Sequence, residues 1–362
     1  MAETFKAQQA QQAAVTEVVA HHNTQSNPFL GKLNDVYAAF HDRREALGLS
    51  NPGTVENIAK EVSRDVFLNN QSFSGLRADI TKAFGVAPLF QVSHALSLGS
   101  QALPPYTYNV LYGSPKVFLQ GSLDNEFQLS GRFNWRWTSA FVSKSSVQLT
   151  SQGNMVSLEN DYTGADFSAS LKSVNPSILD GGLTGMVMAS YLQAVTPSLS
   201  LGIDAFWSRP AMAYPPDLNV SYAARYKTLE WMACGQLVPD RGIEASYWRR
   251  LSEKVETGIN INLAFAGIGP MGPSGKEGTV TIGAKYDFRM SSFRAQIDNH
   301  GKVGCLLEKK IAPPIQVTFS GEIDHKTNAA KLGLAVSIEA ADEEVMAQQE
   351  TAALAATDPI PF

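Results

Sequence analysis

The feature that most limits how this chain can fold is an alternation of apolar and polar residues that runs from about residue 72 to residue 339. It is clearest in KLGLAVSIE, residues 331–339, where every second residue is a large apolar one: Leu332, Leu334, Val336 and Ile338. Successive side chains of a strand point to opposite faces of its sheet. This segment therefore predicts a strand with one apolar face and one face of small or charged residues.

The same period of two recurs in many other segments. Examples are NEFQLSGRFNWRW (125–137), SLSLGIDAFW (198–207), VETGININ (255–262), TVTIGAKYDF (279–288) and IQVTFSGEID (315–324). In the first of these, Phe127 shares a face with Leu129 and Glu126 lies on the polar face. We count about nineteen such segments, close to the ~9 to 11 residues that a membrane strand requires. Turn residues separate them, so the pattern predicts an all-β protein.

Two architectures explain such strands, a soluble sandwich and a membrane barrel. A soluble sandwich accounts for the alternation, but its outer faces should carry many lysines and glutamates. Here only 17% of the residues are charged, and the chain contains 28 glycines. Backbone groups in lipid must all be paired, so strands that span a membrane have to close into a barrel. The pattern favours the barrel, and a soluble β-rich binding protein remains the alternative.

Sequence signals for other membrane topologies are weak. No stretch approaches the ~18 uninterrupted apolar residues of a membrane helix. The first residues, MAETFKAQQAQQAAVTEVVAHH, have no apolar run behind a basic cluster, so we expect no secretory signal peptide. A bacterial outer-membrane porin is therefore a poor match despite the terminal Phe362, because the last residues, TDPIPF, are not typical of a strand.

The chain divides into four predicted regions. Residues 1–28 are a disordered extension rich in Ala and Gln, and residues 340–362 are a C-terminal tail. Residues 29–71 have helical spacing, and residues 72–339 form the barrel. In the helical region, one apolar stripe lies beside charged residues: Val55, Ile58, Ala59, Val62 and Val66. Such a stripe predicts a helix packed on an apolar surface.

The sequence gives no support for enzyme function, a cofactor or a metal site. GIGPMG (267–272) has the letters of a dinucleotide fingerprint, but Pro270 prevents the helix that would hold the phosphates. The six histidines show no ligand spacing with Cys234 or Cys305, which we interpret as packing residues. A net charge of -5 gives no general attraction to nucleic acid and leaves room for a cationic partner.

Several segments resemble one family in particular. They are RREALGLSNPGTVENIAKEVSRDVF (43–67), GLRADITKAF (75–84), DYTGADFSASLK (161–172) and GAKYDFRMSSFRAQIDNHGKVGCLLEKK (283–310). They are similar to the forty-kilodalton channel subunit of the translocase of the mitochondrial outer membrane, the TOM complex, in the mitochondrial porin superfamily. The resemblance runs from about residue 28 to residue 340. It implies a nineteen-stranded barrel in the mitochondrial outer membrane, through which unfolded precursor proteins pass.

An odd number of strands has a topological consequence. The first and last strands then run in the same direction and must pair in parallel to close the wall. If both termini lie on one side, as the resemblance implies, the segment before the first strand has to thread the pore. We therefore expect residues 54–68 to form a helix inside the barrel, with Val55, Ile58, Val62 and Val66 against the wall.

The last predicted strand also resembles the sorting signal of mitochondrial barrels, with Lys331, Gly333, Val336 and Ile338 at the signal positions. We expect its apolar residues to face lipid, and Lys331, Gly333 and Glu339 to face the lumen or its rim. The alternative is an edge strand that needs only to be amphipathic. Other partners that the resemblance implies are membrane lipid, receptor and small single-helix subunits of the TOM complex, and the barrel-assembly machinery. It also implies a homo-oligomer held through accessory subunits.

The polar face suggests how precursors are held. Import presequences are basic, and we place ten acids on the lumenal face, where they outnumber the bases and make the lumen acidic: Asp124, Glu126, Glu159, Asp161, Asp166, Asp204, Glu308, Glu322, Asp324 and Glu339. Among these, Asp124, Glu126, Glu308 and Glu339 are the predicted presequence contacts. An alternative is that the acids only hydrate the lumen or pair with Arg132, Arg136 and Arg294. A voltage-dependent anion and metabolite channel of the same barrel superfamily is the alternative function.

Overall fold

In the computed structural model, residues 50–341 form a closed barrel of nineteen strands, β1 to β19. The structure describes Arg44 and residues 47–68, 71–86, 88–100, 103–151, 153–177, 182–238, 242–265 and 276–341. The strands are β1 Gly75–Val86, β2 Leu89–Leu98, β3 Tyr106–Gly113, β4 Val117–Asp124, β5 Leu129–Arg136, β6 Phe141–Thr150, β7 Gly153–Thr163, β8 Phe167–Ser177, β9 Thr184–Ala194, β10 Leu199–Arg209, β11 Asp217–Lys227, β12 Trp231–Val238, β13 Gly242–Ser252, β14 Val255–Phe265, β15 Lys276–Asp287, β16 Ser291–Asp298, β17 Lys302–Ala312, β18 Ile315–Asp324 and β19 Ala329–Ala341.

Each strand pairs antiparallel with its neighbours in sequence, and the first and last strands close the wall. β1 pairs with β19 in parallel, and its register places Gly75 beside Gly333 and Asp79 beside Ser337. Among the described strands, this is the one parallel pair. The predicted nineteen strands and the predicted parallel closure are therefore confirmed. No helix among the described residues is long and apolar enough to cross a membrane.

The alternation along each strand places apolar side chains on the outer face and polar ones on the inner face. On β19, Leu332 is 76% exposed on the outside, whereas Gly333 and Ala335 are buried on the inside. Leu76 on β1 and Phe319 on β18 are also exposed on the outer face. The expected faces of the last strand are confirmed. An apolar outer surface of this kind is typical of a barrel whose wall faces lipid.

One stretch of chain, residues 50–68, lies inside the barrel, and we call it the inner segment. We call the end of the barrel where β1 begins the start end, and the end where β1 finishes the finish end. Asn51 is held at the finish end, where its Nδ2 donates to the carbonyls of Gly164 and Phe167, each at 2.8 Å. Near the start end, the backbone N–H of Leu68 donates to Oε1 of Gln296 at 2.9 Å. The inner segment thus crosses the lumen lengthwise before β1 begins, as the topology requires.

The helix of the inner segment is shorter than the sequence predicts. We expected a helix over residues 54–68, but a regular helix, α1, spans only Glu61–Val66 and is of the wide π type. Before it, tight turns join residues three apart, as in the bond from the N–H of Ile58 to the carbonyl of Val55 at 3.1 Å. The segment follows the shape of the wall, so its apolar residues make contact without a continuous helix.

The chain between β4 and β5 also differs from the prediction. We expected one long strand from residue 125 to residue 137, but Phe127 has a φ of 57° and lies in a turn, and β5 begins at Leu129. Oδ1 of Asp124 accepts bonds from the N–H groups of Glu126 and Gln128, both at 2.9 Å. This capped turn delays the start of β5 to Leu129, a local effect that an alternating pattern does not reveal.

The predicted regions at the two termini are described only in small part. Residues 1–28, most of residues 29–49 of the predicted helical region, and residues 342–362 lie outside the described residues. The barrel strands begin at Gly75 and end at Ala341, close to the expected limits of 72 and 339. Among the few described residues before residue 50, the N–H of Leu47 bonds the carbonyl of Arg44 at 3.2 Å.

Candidate functional site: the lumen and its inner segment

The inner segment is held to one side of the lumen by an apolar cluster. Val55, Ile58, Val62 and Val66 are all buried, and the exposed fractions of Val62 and Val66 are 1% and 0%. They belong to a cluster with Phe67 of the same segment and with inward residues of β9, β11, β12 and β13: Leu192, Ala223, Met232, Cys234 and Trp248. The residues that the sequence assigns to wall contact therefore lie against the wall in the described structure.

Glycines on the inner face of the wall make room for this packing. A Cβ built on Gly258 would lie 3.2 Å from Cγ1 of Val62, one on Gly283 would lie 2.7 Å from Cδ1 of Phe67, and one on Gly304 would lie 2.9 Å from Cδ1 of Leu68. Real Cβ atoms are almost never closer than 3.0 Å to such neighbours. Each of these glycines therefore lets one side chain of the inner segment approach the backbone of the wall.

Two more inward glycines make close contacts of this kind, one with the inner segment and one with the chain that joins it to β1. On β10, a Cβ on Gly202 would lie 3.2 Å from Cγ2 of Val55. On β19, a Cβ on Gly333 would meet the ring of Phe73 at 2.8 Å and would clash with its carbonyl oxygen. We call Gly202, Gly258, Gly283, Gly304 and Gly333 the glycine track. It leads from the finish end of the lumen to the start end.

Arg225 of β11 fastens the first half of the inner segment. Its Nη1 donates to the carbonyl of Pro52 at 2.9 Å, and its Nη2 donates to Oε1 of Glu61 at 2.6 Å. Nε lies 3.1 Å from the sulfur of Met232. The side chain is buried, and Lys227 also reaches Glu61 at 3.3 Å. An arginine can contact Pro52, Glu61 and Met232 at once because its donors are fixed in a planar fork.

A second charged cluster lies on β6, β7 and β8. Nζ of Lys144 contacts Glu159 at 2.8 Å and Asp161 at 2.5 Å. Nζ of Lys172 lies 3.8 Å from Glu159 and 3.2 Å from Glu56 of the inner segment. The wall acids of this cluster are thus matched by lysines, and Lys172 links them to the inner segment.

Across the whole wall, acidic and basic side chains occur in nearly equal numbers. The acids that the register places on the inner face are Asp79, Asp124, Glu159, Asp161, Asp204, Asp217, Glu244, Glu256, Asp287, Asp298, Glu308, Glu322, Asp324 and Glu339. The bases are Arg77, Arg132, Arg136, Lys144, Lys172, Arg225, Lys227, Arg250, Lys285, Arg294, Lys302, Lys310 and Lys331. The acidic excess expected from the sequence is therefore small for the wall as a whole. Parts of the lumen differ in charge because of where the acids and bases lie.

The four acids predicted to contact presequences lie at different heights. Asp124 ends β4 at the start end, and Glu126 lies in the turn that follows rather than in a strand. Glu308 lies within β17, where its Oε2 accepts from the hydroxyl of Ser292 at 2.9 Å. Glu339 lies on β19 near the finish end. The structure therefore spreads these acids along the barrel instead of bringing them together. Asp166, another predicted lumenal acid, lies in the turn between β7 and β8.

The residues of the predicted sorting signal occupy both faces of β19. Val336 and Ile338 point outward, and Lys331 points inward, 3.8 Å from Glu322. Gly333 lies on the inner face beneath Phe73. Its lack of a side chain is therefore required by packing inside the barrel, in addition to any part it has in sorting.

The inner segment separates two spaces of different character. A cavity of 220 Å³ lies between its apolar side and β7 to β13, where four acids and one base line it: Glu56, Glu159, Asp204, Glu244 and Lys172. A cavity of 840 Å³ lies between its polar side and β4 to β8. The described residues contain no group of three or more His, Cys, Asp or Glu side chains that could hold a metal ion.

Sequence reasoning missed the glycine track and Arg225. The glycines were visible as inward positions of alternating strands, so the signal that could have found them is a glycine on the polar face of a strand. Arg225 carries no such signal, because its partners are 173 and 164 residues away in the chain.

Comparison with known proteins gives one consistent result. A family model described as eukaryotic porin matches residues 51–333. A Neurospora crassa protein described as mitochondrial import receptor subunit tom40 is 50% identical over 90% of this chain and 94% of its own length. The Saccharomyces cerevisiae protein of the same description is 45% identical over 90% of this chain and 88% of its own length, and a Xenopus laevis homolog is 29% identical over 80% and 84%.

Proposed function

Since this chain belongs to the eukaryotic porin family, and within it to the group of mitochondrial import receptor subunit Tom40, we propose that it is the protein-conducting channel of the TOM complex. It lies in the mitochondrial outer membrane and carries unfolded precursor proteins across it. The observation that carries this proposal is the 50% identity to an import receptor subunit over 94% of that relative's length.

The described lumen suits a polypeptide in transit. The wall carries many hydroxyl and amide side chains between charges of both signs, so a passing chain finds hydrogen-bond partners at every height. A single exposed charge pair contributes only ~1 kcal/mol at contact in water, and salt limits its range to ~8 Å. Contacts of this strength hold a chain briefly and release it, which is what passage requires. The relatives belong to a channel family, and we infer that this chain is not an enzyme.

The partners follow from the same proposal. As a TOM subunit, the chain works with receptor subunits and with precursors that carry basic presequences. Its apolar outer face supports contact with lipid and with single-helix subunits, and we infer that copies associate through such accessory subunits. We also infer that the barrel-assembly machinery reads Lys331, Gly333, Val336 and Ile338 during insertion.

The presequence contacts can be tested by charge reversal. Replacing Asp124, Glu126, Glu308 and Glu339 together by lysine should lower the cation preference of the reconstituted channel and slow import of precursors with basic presequences. The defect should shrink as salt rises, because exposed charges are screened. Each single substitution should have little effect.

A matched variant separates charge from structure. Because Asp124 caps the turn after β4, the control replaces it by Asn and the three glutamates by Gln, which keeps the capping acceptor. This variant should show a smaller defect of the same kind. Normal import of basic precursors by the assembled lysine variant would show that these acids only hydrate the pore. Equal loss for all precursors would indicate a damaged barrel.

A further inference from the structure

The larger space in the lumen is basic. The cavity of 840 Å³ is bounded on one side by the inner segment and on the other by β4 to β8. Its charged lining consists of five bases and two acids: Lys60, Arg64, Arg132, Lys144, Lys172, Glu56 and Glu159. Inward uncharged polar residues line the rest: Asn57, Gln120, Ser130, Ser146, Gln148 and Ser157. We call this space the basic lane.

Three of these bases are not neutralised by neighbours. Lys144 and Lys172 form ion pairs with Glu56, Glu159 and Asp161. Within the part of the chain that the structure describes, Lys60, Arg64 and Arg132 have no carboxylate within 4.0 Å. Nε of Arg132 has one long bond, 3.4 Å to Oδ1 of Asn134.

The two bases on the inner segment face the same space as the one on the wall. Lys60 and Arg64 are four residues apart, a spacing that puts side chains on one side of a helix, ~5 to 6 Å apart. Both are exposed, and both line the cavity opposite Arg132 of β5. A ligand in the basic lane would therefore meet positive charge from two sides.

We propose that the basic lane binds acidic stretches of polypeptide, side chains of Asp and Glu in an extended chain. The identity of the ligand as a polypeptide rests on the proposed function, whereas the preference for negative charge rests on the described side chains alone. A basic presequence is repelled from this lane toward the other side of the lumen. An acidic stretch of the same precursor has its own place to be held while it passes.

The arrangement of the cations favours a chain over a single small anion. A phosphate is bound tightly where several donors converge on one point. Here the free cations lie on two facing surfaces of an 840 Å³ space, with serine and glutamine side chains between them. Carboxylates spaced along a peptide suit cations on two surfaces, whereas a small anion suits donors that converge on one point.

Block of single channels by charged peptides tests the proposal. The full chain is reconstituted in planar bilayers, and hexaglutamate is added at low salt. The key variant combines Lys60→Gln, Arg64→Gln and Arg132→Gln, which keeps polar side chains and removes the three free charges. We expect its half-blocking concentration for hexaglutamate to rise about tenfold, since three exposed charge contacts of ordinary strength together correspond to about one decade of affinity.

A matched control removes equal charge elsewhere in the lumen. It combines Lys285→Gln, Lys302→Gln and Lys310→Gln on β15 and β17, outside the lining of the basic lane. We expect less than a twofold change with this control, because screening confines each charge to its surroundings. Unblocked conductance close to that of the unsubstituted channel shows that both variants are assembled.

Three results would overturn the proposal. They are an unchanged block in the key variant, an equal loss of block in the control, and a block by inorganic phosphate that matches hexaglutamate at equal charge concentration and depends on the same bases. The last result would mean that the lane binds small anions. Failure of the unsubstituted chain to import precursors would instead contradict the proposed function, and the peptide block would still report on the lane.

Discussion

Replacing Gly283 by alanine should loosen the inner segment from the wall. The added methyl group would lie 2.7 Å from Cδ1 and 2.8 Å from Cε1 of Phe67, a side chain that is 2% exposed. Backbone limits movement on the other side, because the carbonyl oxygen of Ala295 is 3.3 Å from the same position. Because the ring is buried, it can turn aside only if its neighbours move, so the segment or the wall has to shift.

Overpacking of this kind costs about 1 to 3 kcal/mol. If the cost falls on the docked state of the inner segment, the population of an undocked state rises roughly 5- to 150-fold, since ~1.4 kcal/mol corresponds to a factor of ten. An undocked segment fills the lumen less regularly. Single-channel recordings should therefore show a second conductance level, or more frequent transitions, in the Gly283→Ala channel.

Two further variants test the contact between Gly283 and Phe67. Gly131→Ala is the control, because nothing lies within 4 Å of a Cβ at that outward position, and its recordings should match those of the unsubstituted channel. Phe67→Ala removes the ring that the methyl group would strike, so Gly283→Ala should have little additional effect in that background. Fully additive effects of the two substitutions, or quiet recordings from Gly283→Ala alone, would refute the role assigned to this contact.

Three other outcomes follow from the same structure. Deleting residues 54–68 should give a barrel with higher or noisier conductance, and an unchanged conductance would place this segment outside the pore. Arg225→Ala should raise the undocked population at least as much as Gly283→Ala does in the same recordings, because it removes the bonds to Pro52 and Glu61 and a hydrogen bond to a charged group contributes about 1.5 to 3 kcal/mol; recordings as quiet as the unsubstituted channel would contradict this. Gly333→Lys, or Val336→Asp with Ile338→Asp, should block insertion, measured as loss of carbonate-resistant protein in isolated mitochondria. The lysine side chain would clash with Phe73 on the inner face, and the two aspartates would place charge on the lipid face, which is unfavourable by up to a few kcal/mol. Normal assembly of both variants would contradict the sorting signal.

The architecture could be predicted from the sequence because its main determinant is repeated. Every strand obeys the same alternation, so an error in one segment does not change the fold class. The odd strand number, which came from the family resemblance, then required parallel closure and a segment threaded through the lumen. These are consequences of topology, and they need no knowledge of side-chain contacts.

The details of the lumen could not be predicted because they depend on which strands are neighbours at which height. Lys144 meets Glu159 across the β6–β7 register, and Arg225 meets Glu61 only because the inner segment passes β11. Without the register, acids and bases on the polar faces cannot be paired, and the lumen was expected to be more acidic than it is. The turn at Phe127 was missed because its capping by Asp124 acts over four residues and leaves the alternation of letters intact.

The parallel pairing of β1 with β19 also constrains how the barrel can form. β1 has β2 as its antiparallel neighbour, but its other neighbour is the last strand of the wall, so one edge of β1 stays open until Ala329–Ala341 has been made. An open edge exposes unpaired N–H and C=O groups, which invite pairing with other chains in water and are highly unfavourable in hydrocarbon. Closure is therefore a single late event that joins the two ends of the sheet. Until it occurs, the growing sheet needs either a temporary strand partner for each edge or a surrounding that keeps both edges away from lipid.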